Sequence, residues 1–432
     1  MADPENPAEP KATRTARPAR TRAEAPPDPD PAPSPAIPSP IALPNDAVER
    51  ALRTGDQLGP LEDLFGPAAL DELRRLARDA EAASVRGGDR VLILPGIMGS
   101  KLGRVRPILD DVIWLNPAHI VLGRFDELRL GNGAGGIEAL GVFLFAYLAL
   151  KLRLRIRGHA AEFHAFDWRL SVDDLAEGLR RNIAGDTRRT HLVCHSMGGL
   201  VARAMFRLPA PANIGRIITL GTPHNGSYAP VQAFRGVEAT VRKIAALDLL
   251  DANPKQKQEH LAAIFGTFPG LLQMIPSPAL RQPSLFNPLS WPQQGARPGD
   301  SMLARAAQVQ DSLPKLNAIQ LPPDPKAPDR RIVLIVGSGT ETVIAARRPA
   351  KSTDNDEFTY DLSDEGDGTV PLDLATVPDL PTYVTQAGHG GMPNDPDIAR
   401  AVDNILVTGA TKLLPELDSL PPVQRRGALL RS

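Results

Sequence analysis

Apolar residues recur along this chain in two rhythms, and their alternation predicts the architecture. Short, nearly unbroken apolar runs at Val91–Leu94, Leu192–Cys194, Ile217–Leu220 and Ile332–Val336 read as strands buried on both faces. Between them lie stretches with helical spacing: Tyr147 to Arg157, closed by Gly158, then Leu175 to Ile183, then Gly199 to Met205. Strand, helix, strand, helix, strand predicts an α/β fold with a doubly wound, mainly parallel sheet and right-handed crossovers.

The flanks depart from this rhythm. Residues 1–45 are dominated by proline, alanine and charge, and such a segment buries too little apolar surface to offset its ordering entropy. A disordered tail is expected there. Over 46–88 the pattern turns helical, with Leu70, Leu73, Leu76 and Ala80 on one face behind Pro67, predicting an N-terminal helical extension docked on the core. The core then occupies 89–230. Alternation stops over 231–328, where helical signals (Val237, Val241, Ile244, Leu247) precede the proline-punctuated FPGLLQMIPSP. An insertion of this kind between core strands reads as a helical cap or lid over the site. The core resumes over 329–415, closing with a helix from about Asp395 to Leu414, and 416–432 reads as a C-terminal tail.

Composition narrows the function classes. With 49 basic and 50 acidic residues, nothing marks a nucleic-acid-binding surface. A single cysteine allows no internal disulfide, and aromatic residues at 4% argue against a carbohydrate-stacking surface. Met1 is followed by acidic and proline residues and not by a basic segment with an apolar core, so a cytoplasmic location is expected. The run Ala139–Leu150 is shorter than the ~20 residues that span a bilayer, and it reads as a helix packed on the sheet.

The candidate chemistry centres on HLVCHSMGGLVAR, residues 191–203. A serine on a sharp strand-to-helix turn with small neighbours is the nucleophile elbow of the α/β-hydrolase fold. Here that serine is Ser196, with Gly198 and Gly199 after it and Cys194 where a glycine is usual. The competing reading is a glycine-rich strand–helix junction with an ordinary serine. A serine hydrolase on this fold has its acid and histidine later in the chain, in that order. Asp367, between Gly366 and Gly368, and His389, in a glycine-flanked loop, satisfy that order. Asp361, Asp364, Glu365 and Asp373 compete for the acid but lack paired glycines. His389 would relay the Ser196 proton and Asp367 would orient the imidazole. The loop after an early strand and the residue after the nucleophile supply oxyanion-hole N–H groups, which here are Ile97 and Met197. No metal or cofactor is called for.

Taken together, LPGIMGSKL, IWLNP, HAFDWRLS, CHSMGGLVAR, TLGTPHNGS, IVGSGTET, GDGTVP and AGHGG, in that order over residues 90–400, resemble the lecithin:cholesterol acyltransferase–lysosomal phospholipase family of α/β-hydrolases. The resemblance implies the triad Ser196, Asp367 and His389, and places Trp114 in a loop covering the acyl site. It also implies action on acyl esters of lipids, by hydrolysis or acyl transfer, with transient contact to lipid surfaces. The family's vertebrate enzymes are secreted and disulfide-bonded, and this chain shows neither feature. The expected function is a lipid-type carboxylic-ester hydrolase. An O-acyltransferase, or a hydrolase-fold protein that only binds a lipid or partner, are the alternatives.

Overall fold

A computed structural model describes residues 40–56, 58–83, 88–107, 109–116, 119, 123–131, 136–247, 253–323, 331–348 and 357–420. The tail expected over 1–45 lies outside the described residues as far as position 39, as does the C-terminal tail beyond 420. The described residues form one unit by their internal contacts.

Eleven strands are described: β1 (Arg90–Leu94), β2 (Ser100–Arg104), β3 (Asp111–Val112), β4 (Glu138–Val142), β5 (Ala160–Phe163), β6 (Thr190–His195), β7 (Ile214–Leu220), β8 (Ile332–Gly337), β9 (Thr342–Arg347), β10 (Thr359–Ser363) and β11 (Thr382–Thr385). Six of them form a sheet in the order β11-β8-β7-β6-β1-β5, every neighbouring pair parallel. The apolar runs become strands because each side chain finds a buried face. Leu92 and Leu94 of β1 join one hydrophobic cluster, and Val91 and Ile93 join the other. That is the two-residue period of a strand covered on both sides.

Helices supply the two layers. One face carries α1 (Asn45–Thr54), α2 (Gly59–Phe65) and α3 (Pro67–Ala82), together with α4 (Leu144–Ile156) and the C-terminal α13 (Pro396–Thr408). Leu52, Leu61, Leu70, Leu73 and Leu76 from the first three are buried there, in the same cluster as Leu148 and Ile405. The opposite face carries α5 (Val172–Ala184) and α6 (Met197–Ala204). It is also covered by residues from the long excursion between β7 and β8, which contains α7 (Ala229–Phe234), α8 (Ala239–Leu247), α9 (Pro254–Phe265), α10 (Pro269–Leu272) and α11 (Asp300–Ser312). A four-residue turn, α12 (Leu372–Ala375), follows the Asp367 loop.

Three local differences from the sequence pattern have physical causes. The run Ala139–Leu150 is not all helix: it begins in β4, which pairs antiparallel with β2 (Ser100↔Val142), and turns helical only at Leu144. Phe143 N–H donating to the Gly99 carbonyl (3.0 Å) ties that corner to the loop after β1. The last helix ends at Thr408, because Gly409 adopts φ +80 and its N–H caps the Ile405 carbonyl. Finally, β9 and β10 pair with each other as an antiparallel hairpin and do not extend the main sheet.

Candidate active site

The parallel register brings the C-terminal ends of β1, β6, β7 and β8 to one edge, where functional loops of open α/β sheets gather. Ser196 follows β6 directly, with φ +51 and ψ −123, a conformation rarely adopted by a residue with a side chain. Its N–H donates to the Leu220 carbonyl (2.9 Å), so the turn is braced by β7. The close approach explains the small neighbours. A Cβ on Gly198 would lie 2.7 Å from the Pro95 carbonyl oxygen, and one on Gly96 would lie 2.9 Å from the Ser196 Cβ. Cys194 is fully buried and burial pushes its thiol pKa well up, so it serves as a small core residue.

Three loops bring the predicted triad residues together. His389 Nε2 is 2.9 Å from Ser196 Oγ, and His389 Nδ1 is 2.7 Å from Asp367 Oδ2. The other carboxylate oxygen accepts N–H groups of Thr369 (2.9 Å) and Val370 (2.7 Å). Burial by itself would raise the Asp367 pKa. The electrostatic attraction and ring N–H of His389, with the two backbone donors, outweigh it and hold the carboxyl below its ordinary value. An ionised Asp367 can only accept, so Nδ1 carries the imidazole proton and Nε2 is left to accept from the Ser196 hydroxyl. The Asp367 side chain is 1% exposed and that of His389 14%, so the acid is sealed while the imidazole reaches the surface of the site.

Of the competing acids, Asp361 and Asp373 have carboxylates engaged elsewhere. Asp361 pairs with Arg347 (2.6 Å) and Asp373 with Arg281. Asp364 and Glu365 lie in the turn, their carbonyls accepting the Gly339 and Leu372 N–H groups. His224 has Nε2 3.2 Å from Thr219 Oγ1, and His159 pairs with Asp403.

Ile97 and Met197 flank the serine from the loop after β1 and from the first position of α6. Among the described residues neither backbone N–H donates to a protein acceptor, whereas the neighbouring Gly96 N–H is taken by Tyr147 Oη (2.9 Å). An oxyanion hole is built from backbone amides of this kind, free of protein acceptors. Trp114, expected over an acyl site, is fully buried. Its indole N–H donates to the Met98 carbonyl (3.1 Å), and its ring packs against Phe125, Trp168 and Phe265. In Asp167-Trp168-Arg169, Arg169 bonds Asp167 and the Leu128 and Ile137 carbonyls, while the Trp168 indole donates to the Ser100 carbonyl. Those contacts join the segment to the β2 region and to the loop before β4.

Two glycines that the sequence does not single out are as confining as those of the elbow. Gly221, at the end of β7, has φ +55, and a Cβ there would lie 2.9 Å from Asp367 Oδ2 and 3.1 Å from His389 Nδ1. A Cβ on Gly337, ending β8, would lie 2.5 Å from the Asp367 Cβ. Their only signal in sequence is a glycine just past a buried apolar run.

A six-stranded parallel sheet covered on both faces, with a strained serine at the end of a central strand, defines the α/β-hydrolase fold. A sequence profile of the PGAP1-like alpha/beta domain family matches residues 177–260, the stretch that holds the elbow. The chain solved in the crystal structure of the Tle4–Tli4 complex is 14% identical, with a TM-score of 0.50 over 75% of this chain and 99% of that one. The mature form of the Bacillus licheniformis lipase BlEst2 is 12% identical, with a TM-score of 0.37 over 76% of this chain and 94% of the lipase. Phospholipase PlaB from Legionella pneumophila is 10% identical, with a TM-score of 0.30 over 62% of this chain and 58% of that chain. Among curated proteins, none matches the sequence. No described helix is long and apolar enough to cross a membrane.

Proposed function

We propose that this chain is a serine hydrolase of carboxylic esters, acting on lipid-like acyl groups through an acyl-enzyme. The observation that carries the reading is the continuous pair of contacts from Ser196 Oγ to His389 Nε2 (2.9 Å) and from His389 Nδ1 to Asp367 Oδ2 (2.7 Å), on a strained elbow. A protein that only bound lipid would need neither the strain nor the three residues in register.

Ser196 Oγ attacks the ester carbonyl carbon while His389 Nε2 takes its proton, and the N–H groups of Ile97 and Met197 hold the resulting oxyanion. Collapse expels the alcohol, which leaves with the proton from His389, and the acyl group stays on Ser196. Water then attacks the acyl-enzyme, His389 again taking and returning the proton. Asp367 keeps the imidazole in the tautomer with Nδ1 protonated and stabilises the imidazolium that forms. Met197 shares a buried apolar cluster with Trp168, Phe268 and Leu272, which supports an acyl substrate over a charged one. An alcohol replacing water at the second step makes the same intermediate that of an acyltransferase, the reaction expected from the motifs' resemblance to the lecithin:cholesterol acyltransferase family.

Rapid mixing with a p-nitrophenyl ester tests the reading. A burst of p-nitrophenol stoichiometric with enzyme, followed by slower turnover, is expected. Added short-chain alcohols should divert acyl groups in proportion to acyl transfer. Absence of any ester cleavage by well-folded protein would overturn the proposal.

A further inference from the structure

Beneath the elbow a tyrosine and a histidine join the two loops that flank Ser196. Tyr147, on α4, is buried, as is His195, the last residue of β6. The Gly96 N–H donates to Tyr147 Oη (2.9 Å), Tyr147 Oη is 2.9 Å from His195 Nδ1, and His195 Nε2 is 2.9 Å from the His389 carbonyl oxygen. The proton positions follow from valence. A carbonyl oxygen only accepts, so His195 Nε2 carries a hydrogen. Nδ1 of the neutral ring then accepts the tyrosine proton, leaving an Oη lone pair for Gly96. Burial, and then the neighbouring His389, push the His195 pKa down to about 3, in keeping with a ring that stays neutral.

Each end of this chain holds a backbone whose placement matters for the reaction. Gly96 precedes Ile97, the proposed oxyanion donor. With its N–H on Tyr147 and its carbonyl accepting the Gly99 N–H (3.1 Å), the Gly96 peptide groups cannot turn independently. His389 is likewise held by its N–H on the Asp367 carbonyl (2.8 Å) and by its own carbonyl on His195. We propose that Tyr147 and His195 are positioning residues of the esterase site: a buried two-residue relay that sets the oxyanion loop and the His389 backbone relative to each other across Ser196. The proposal rests on the ester-hydrolase reading above.

The experiment compares wild type with Tyr147→Phe, His195→Phe, His195→Gln and the double variant Tyr147→Phe/His195→Phe on a soluble p-nitrophenyl ester. Active sites are counted by fluorophosphonate titration, and melting temperature is recorded alongside. Misplacing reacting groups by a fraction of an ångström to one ångström costs up to about 100-fold, so each Phe variant should lose roughly 10- to 100-fold in kcat per titrated site, with KM within about twofold. His195→Gln, whose amide keeps a donor toward His389, should recover part of that loss. Residues acting as one unit are non-additive, so the double variant should be no worse than the worse single one. A merely structural role would lower melting temperature and the number of active sites while leaving kcat per site intact. That result, or losses that multiply in the double variant, would overturn the relay. If wild type neither hydrolyses the ester nor takes up fluorophosphonate, the esterase reading fails instead. The relay is then decided by the imidazole nitrogen NMR signals of wild-type His195: a bare Nδ1 and a protonated Nε2 support it, and the opposite tautomer overturns it.

Discussion

Two regions adjoin the elbow, one at Ser196 and the other at Met197, and are held by different forces. Around Asp367 and His389, position is set by directed hydrogen bonds of 2.7–2.9 Å to Thr369, Val370 and each other. Across 265–275 it is set mainly by burial: Phe265, Phe268, Leu271, Leu272, Met274 and Ile275 all lie within the core cluster that contains Met197 and Trp168. Each such side chain contributes about 1.5–3 kcal/mol by leaving water. The polar ties are few but well placed. Gln273 accepts the Val172 N–H and donates to Ser171 Oγ, both at 2.8 Å, and Ser227 N–H donates to the Met274 carbonyl. Directional bonds fix angles, which chemistry at Ser196 requires. Apolar burial fixes volume and tolerates sliding, which would suit the wall of the proposed acyl site.

The largest effects are expected at Ser196, His389 and Asp367, where position and not volume governs the proposed chemistry. Ser196→Ala and His389→Ala should each lower ester turnover by about 10⁴- to 10⁶-fold with melting temperature little changed, as expected for residues acting as one unit. Asp367→Asn should cost less than either but still a large factor, since the imidazole would lose its orienting acceptor. Steady-state rates on purified, folded variants check all three.

Gly221→Ala is the next largest. Its methyl would press on Asp367 Oδ2 and His389 Nδ1 from a backbone already at φ +55. Displacement of the pair should lower kcat by about 100-fold. The corresponding loss in stability should be modest beside that in rate, and thermal melts alongside kcat measure the split.

In the apolar region the order reverses. Phe268→Ala should lower unfolding free energy by about 3–5 kcal/mol, measured by denaturant titration, while kcat of the folded fraction falls by well under the factor seen for Gly221→Ala. If the segment also acts as a lid, wild-type activity should rise as an ester substrate passes from monomers to micelles, and Leu271→Ser with Leu272→Ser should blunt that rise. Smooth saturation through the micellar transition would mark it as a fixed wall.

Acid sharpens the contrast more gently. His195 and His224 are pushed down to about 3, and His164 and His191 to about 4, in each case by burial first. Their folded-state pKa values lie below the unfolded value of about 6.5, so between these limits the unfolded chain binds more protons. Stability should be full above that pH and decline as pH falls toward about 4, by at most about 1.4 kcal/mol per pH unit for each histidine. All four lie in or beside the sheet, and none of them lies in the insertion. Hydrogen exchange at mildly acid pH should therefore loosen β6 and its neighbours before α9.

What the sequence made legible was what is local or strictly ordered. The unbroken apolar runs of β1, β6 and β8 announce buried parallel strands, and the order Ser196, Asp367, His389 follows from how the chain winds through this fold. What stayed hidden depends on residues that meet only in three dimensions. Tyr147 sits in a helix whose other buried positions are mostly aliphatic, and nothing near it in sequence points to His195. His195 stands next to Ser196 in sequence, but its ring is engaged with Tyr147 and the backbone of His389. The start of β4 was obscured for a different reason. An apolar run long enough for a helix takes a strand at its N-terminal end once β2 offers a pairing edge.

The proposed mechanism makes Ser196 an activated nucleophile. Intact-mass analysis of the full chain after treatment with a fluorophosphonate, followed by peptide mapping, tests it directly. One adduct per chain is expected, on Ser196, formed rapidly in wild type, strongly slowed by His389→Ala and absent in Ser196→Ala. Folded wild-type protein that carries no adduct, or carries it on another serine, would rule out Ser196 as the nucleophile.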